Sequence, residues 1–160
     1  MEIIRRLEDY ICDSKIEDAI SLVRHIGETK DESCLEVLLK HLTATDSNIL
    51  RNEIALSLSD IGNNKAVDTL VEMLTHPKTK GSRGTLLYAL EELNYIHHIA
   101  TITDFIGDSS LEVSMEAFLL LEHVFDELSY EQKEKCKNIL ESKLKNNENE
   151  HIREALEMFE

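Results

Sequence analysis

The 160-residue chain carries 32 acidic and 17 basic side chains, a net charge of −15 at pH 7, and is 42% hydrophobic. That apolar content belongs to a globular chain, not a disordered one. So acidic a surface repels phosphate backbones and anionic lipid heads, which makes nucleic acid and membrane surfaces poor partners. One proline, five glycines, no tryptophan and no long alternation of β-branched residues argue against strands and for helices.

Residues 1–13 place Ile3, Ile4, Leu7 and Ile11 at helical spacing, a short leading helix. Ser14 and Glu17 have the spacing of a capping box, as do Thr29 and Glu32, Ser109 and Glu112, and Ser129 and Gln132. The first opens a helix with Ile16, Ala19, Ile20, Val23 and Ile26 on one stripe, stopped at Gly27. The second opens one with Leu35, Leu38, Leu39 and Leu42 inward. Asp46 or Ser47 caps the next helix, whose stripe is Leu50, Ile54, Ala55, Leu58 and Ile61, ended by Gly62. Asn63 and Asn64 turn the chain into a partner helix lined by Ala66, Val67, Leu70, Val71 and Leu74, which stops before Pro77.

Residues 79–84 read as a flexible connector and helix entry; no strand precedes them and the order of a phosphate loop is missing. Leu86, Leu87, Leu90 and Leu93 follow, then Ile99, Ile102 and Ile106 in a helix over 97–106. Further helices are expected over 111–124, from Ser129 to Leu144, and over 151–159, where Ile152, Leu156 and Phe159 share a face. Three widely spaced cysteines, Cys12, Cys34 and Cys136, sit in apolar-periodic segments and are expected as buried thiols. With no signal-like opening and no apolar run long enough for a bilayer, the expectation is a cytoplasmic protein.

The strongest signal is internal repetition. A shift of 32 lays Arg51, Ile54, Ala55, Leu58 and Ile61 on Arg83, Leu86, Leu87, Leu90 and Leu93, and Val67, Leu70 and Leu74 on Ile99, Ile102 and Ile106. Shifted back by 32, Val67, Leu70 and Leu74 meet Leu35, Leu38 and Leu42, while Ile61 and Gly62 meet Ile26 and Gly27 at a shift of 35. On these residues the chain resembles the HEAT-repeat family, in the variety also found in phycobilisome lyase-type repeats. Arg51, Ala55-Leu56 and Ile61-Gly62 look like that family's first helix, and Ala66 with Leu70 and Leu74 like its second. The family's aspartate after the glycine is Asn63, and Gly62 becomes Asn94 in the next repeat.

The resemblance implies an all-α, right-handed solenoid of stacked antiparallel helix pairs, with first helices convex and second helices concave. About ten helices in one domain are expected, with residues 1–13 and 148–160 as terminal caps and residues 14–145 as repeats. Glu36, Lys40, Asp68, Glu72, Thr101 and Asp104 then fall on the outer face of the second helices. In register they form an acidic concave strip suited to a basic protein; the alternative is an ordinary solvated face. His97 and His98 are adjacent, so they point about 100° apart and do not share a metal. No metal, cofactor or catalytic constellation is expected. HEAT-like DNA glycosylases depend on a basic, aromatic-rich concave surface, which this acidic chain without tryptophan lacks. Three functions stay open: a binding scaffold, in its sharpest form an immunity protein neutralising a basic toxin; a lyase-repeat-like chaperone or enzyme acting on a cofactor-bearing protein; and a structural subunit. A monomer is expected, with end-to-end pairing through the last helix as the alternative.

Overall fold

Ten α-helices joined by turns and four short 3-10 segments carry the chain in a computed structural model that describes residues 1–160. They gather into two units, Met1–Leu93 and Asn94–Glu160.

The first unit holds α1 (Glu2–Cys12), α2 (Ile16–Glu28), α3 (Leu35–Ala44), α4 (Asn48–Ile61), α5 (Ala66–Leu74) and α6 (Gly84–Ala89). Here α2, α4 and α6 pack side by side as one layer, α3 and α5 pack as a second, and α1 lies against α2. Helix pairs stacked in this way are the α-solenoid that the repeat requires. The core between the layers is aliphatic, with Val23, Ile26, Leu38, Leu42, Leu50, Ile54, Leu58, Leu70 and Leu74 all buried. Each such side chain contributes about 1.5–3 kcal/mol through the surface it removes from water.

The repeat begins and ends on local chemistry. Ser47 Oγ accepts a hydrogen bond from the Leu50 amide at the start of α4. Gly62 closes that helix at φ 77°, a left-handed conformation that costs glycine little. The Asn63 carboxamide then accepts the Lys65 amide at 2.9 Å.

The preceding repeat makes the same turn with different residues. Lys30 takes the left-handed position at φ 52°, and Asp31 Oδ1 accepts the Ser33 amide. Lys30 and Asp31 lie 32 positions before Gly62 and Asn63, so the turn keeps the 32-residue period and the expected 35-residue match of Gly27 to Gly62 is incorrect. Gly27 lies inside α2, where a Cβ would stand 2.7 Å from Ser57 Oγ; it permits close approach of α4 and does not stop the helix. Ser57 uses that proximity to donate to the Val23 carbonyl at 2.7 Å.

Two expected capping boxes also give way. Ser14 adopts φ 57° and Lys15 caps α2 without a side-chain bond, while Asp31 and not Thr29 opens a 3-10 turn ahead of α3. Residues 79–84, the expected connector and helix entry, are anchored at Thr79 and Arg83. Buried Thr79 donates to the Met73 carbonyl at 2.7 Å and accepts from Arg83 Nε at 3.2 Å. Lys78 also reaches the Thr43 carbonyl.

The two register-equivalent arginines have the same task. Arg51 is 1% exposed and donates to the Thr45 carbonyl and the Asn48 side chain, each at 2.5 Å. Arg83 donates to the His76 carbonyl at 3.1 Å. Each holds the segment that leads into its own helix.

The second unit holds α7 (Ile99–Thr103), α8 (Leu111–Val124), α9 (Tyr130–Asn146) and α10 (Glu150–Glu157). Here α7 packs on α8 and α9, and α10 covers both α8 and α9. Ser110 caps α8, one residue after the expected Ser109, and Ser129 with Gln132 forms the full reciprocal box on α9. Buried polar groups knit this unit together. Tyr95 Oη donates to the Leu120 carbonyl at 2.6 Å, and Thr103 Oγ1 lies 2.7 Å from the Ile99 carbonyl. Ser114 Oγ accepts the Gly107 amide at 2.8 Å while lying 2.7 Å from His151 Nδ1. Ile152 fills the space beside Gly107, and Phe159 meets Phe125 edge-on at 4.9 Å.

Candidate interaction surface

In the first unit, α3 and α5 lie side by side with their apolar stripes buried, which leaves the opposite edges to solvent. Glu36 and Asp68 are exposed in the first turns of these helices, 32 positions apart, where carboxylates also oppose the helix dipole. Lys40 and Glu72 occupy the next equivalent row and are likewise exposed. Lys65 stands at the N-cap of α5.

Lys40 is already engaged. Its Nζ donates to Glu8 Oε1 at 3.1 Å, and His41 Nε2 lies 3.1 Å from the other oxygen of that carboxylate. Burial by itself would raise the pKa of Glu8; the Lys40 hydrogen bond and the close approach of His41, with their charge, outweigh it and hold the carboxyl below its ordinary range. The lysine is therefore matched to α1, and Glu36, Asp68 and Glu72 set the sign of this face.

Thr101 and Asp104 belong to the second unit. Thr101 is half-buried on α7, and Asp104 is exposed immediately after it. Lys143 Nζ donates to the Asp104 carbonyl at 2.7 Å and lies 3.8 Å from its carboxylate. The structure thus assembles Glu36, Lys40, Asp68 and Glu72 on one pair of helices and gives Asp104 a cation of its own.

The other candidates have structural surroundings. His97 and His98 lie in a 3-10 segment, Ile96–His98, with His97 exposed. Cys34 and Cys136 are buried and Cys12 is exposed, which corrects the expectation of three buried thiols. Burial pushes both buried thiols up, and the neighbouring Asp31 charge adds to this at Cys34, so neither is an activated nucleophile. No group of three or more His, Cys, Asp or Glu side chains converges as a metal cage. No helix is long and apolar enough to cross a membrane.

A family model described as HEAT repeats matches residues 4–91. The chain belongs to the HEAT-repeat family. The match covers α1 to α6, the unit in which the 32-residue period is clearest. HEAT repeats are generally protein-interaction scaffolds and typically non-catalytic, their stacked helix pairs creating extended binding surfaces. No curated protein and no solved structure matches the chain.

Proposed function

We propose that this HEAT-repeat chain is a non-catalytic scaffold that binds a basic protein through the exposed edge of α3 and α5. The observation that carries this reading is the row of Glu36, Asp68 and Glu72 on two adjacent second helices, in a chain of net charge −15. Carboxylates held on a rigid helical lattice attract lysine and arginine at long range and speed encounter. Lys40 sits at the edge of this row, and Thr101 and Asp104 are the equivalent positions of the following repeat in sequence register. In its sharpest form the partner is a basic toxin or nuclease and the chain its neutralising immunity protein.

Capture of partners from the native cell, with mass spectrometry, tests the reading. The wild-type chain is expected to retain a basic protein that the double variant Asp68→Lys/Glu72→Lys releases, with capture weakening as salt rises. Equal capture by both chains would remove α3 and α5 as the binding edge.

A further inference from the structure

A second surface lies in the other unit. On α8, Leu111, Met115 and Leu119 follow one another every four residues and are 69%, 44% and 42% exposed. Spacing of this kind puts all three on one stripe of the helix. Beside the stripe, α8 and α10 flank an open, shallow groove of about 730 Å³. Phe118 and Met158 supply its apolar lining, and Glu122, Glu150, Glu154 and Glu157 supply carboxylates. Its one cation, Arg153, is hydrogen-bonded to Glu148 at 2.6 Å. Residues 94–132 contain eight carboxylates and no lysine or arginine.

We propose that the α8 stripe and the α8–α10 groove form a docking site for an amphipathic, basic helix of a protein partner. The apolar side chains provide what such a helix buries along i, i+4 positions, and the glutamates provide what its flanking lysines and arginines pair with. Charge complementarity decides among occupants. A second copy of this chain would bring its own glutamates against these, and an anionic membrane would be repelled. A cationic helix satisfies both components at once. This inference rests on the reading of the chain as a scaffold for basic partners, but on a surface separate from α3 and α5.

The probe is a synthetic helical peptide of about 14 residues, the length of α8, with leucines at i, i+3 and i+4 and lysines elsewhere. Its scrambled isomer has the same charge and no apolar face. Fluorescence anisotropy with the full chain is expected to give at least about tenfold tighter binding to the amphipathic peptide than to the isomer. Met115→Ser/Leu119→Ser is expected to erase that difference, Glu122→Lys/Glu154→Lys to weaken both peptides, and Asp68→Lys/Glu72→Lys to leave the preference intact. The substituted side chains are at the surface, and unchanged circular dichroism verifies the fold of each variant.

Equal affinity for the two peptides, or no binding of either, overturns the docking site and leaves the α3–α5 proposal to its own capture experiment. Loss of the preference only in Asp68→Lys/Glu72→Lys overturns it in favour of α3 and α5. Sedimentation of the chain alone is expected to give a monomer. A dimer dispersed by Met115→Ser/Leu119→Ser would overturn the basic helix as occupant and assign the stripe to self-association.

Discussion

The two units solve the same packing problem with different materials. Residues 1–93 hold 17 acidic and 11 basic side chains, a net −6, and stack their helices on a regular aliphatic interior crossed by the buried polar groups of Arg51, Ser57 and Thr79. Residues 94–160 hold 15 and 6, a net −9 in fewer residues, and add Tyr95, Thr103, Ser114 and His151 to the packing as hydrogen-bonded struts. Apolar burial is non-directional and tolerates a repeating pattern, whereas each strut serves one place only. The family match falls on the first of these units.

The largest effect that would sharpen this contrast is Leu58→Ala. The side chain is fully buried in α4, and its removal is expected to cost about 2–5 kcal/mol in denaturant unfolding. Faster amide exchange should appear in α2 and α4; exchange unchanged there would break the claim that aliphatic contacts dominate the first unit. Next comes Gly107→Val. Gly107 has φ 88°, and a Cβ would lie 2.5 Å from Ile152 Cδ1, so strain and overlap together are expected to cost about 2–4 kcal/mol. Hydrogen exchange should locate the loss at α8 and α10.

Tyr95→Phe removes only a hydroxyl, which leaves the Leu120 carbonyl without that donor in a buried site. A loss of about 0.5–1.5 kcal/mol is expected, and a neutral result would show that the polar struts are ornamental to stability. The smallest effect belongs to Glu8→Gln. The folded-state pKa of Glu8 is depressed, so its contribution is complete above the unfolded value of 4.5 and fades as pH falls through the lower folded value. This carboxylate is 36% exposed, and solvent screening limits the effect to below about 1 kcal/mol at pH 7. Wild type and variant should converge in thermal melts at acid pH. A gap that widened there would reverse the assigned sign.

Much of this architecture was legible because periodicity and caps agree. Ser47, Ser129 and Gly62 act as their residue types dictate, and the inward leucines of α4 and α5 are buried as spaced. The turn at Lys30 was not legible, because a lysine in the left-handed region leaves no compositional trace where a glycine would. The outward positions of Glu36, Asp68 and Glu72 followed from the helical period. The pairing of Lys40 with Glu8 and of Asp104 with Lys143 did not, since each joins residues more than 30 positions apart on different helices. The exposed stripe of α8 was hidden for another reason. Nine of its fourteen residues are apolar, so the outward leucines and methionine merge with the inward ones in any periodicity count.

The guanidinium groups of Arg51 and Arg83 grip carbonyls only a few residues upstream of themselves. That part of what seats each hairpin travels within its own stretch of chain, whereas Ser57 and Lys78 reach back to the preceding one. An in-frame tandem duplication of one such stretch would import its own arginine clasp, and both reaching contacts end on backbone carbonyls, which a copied stretch also supplies.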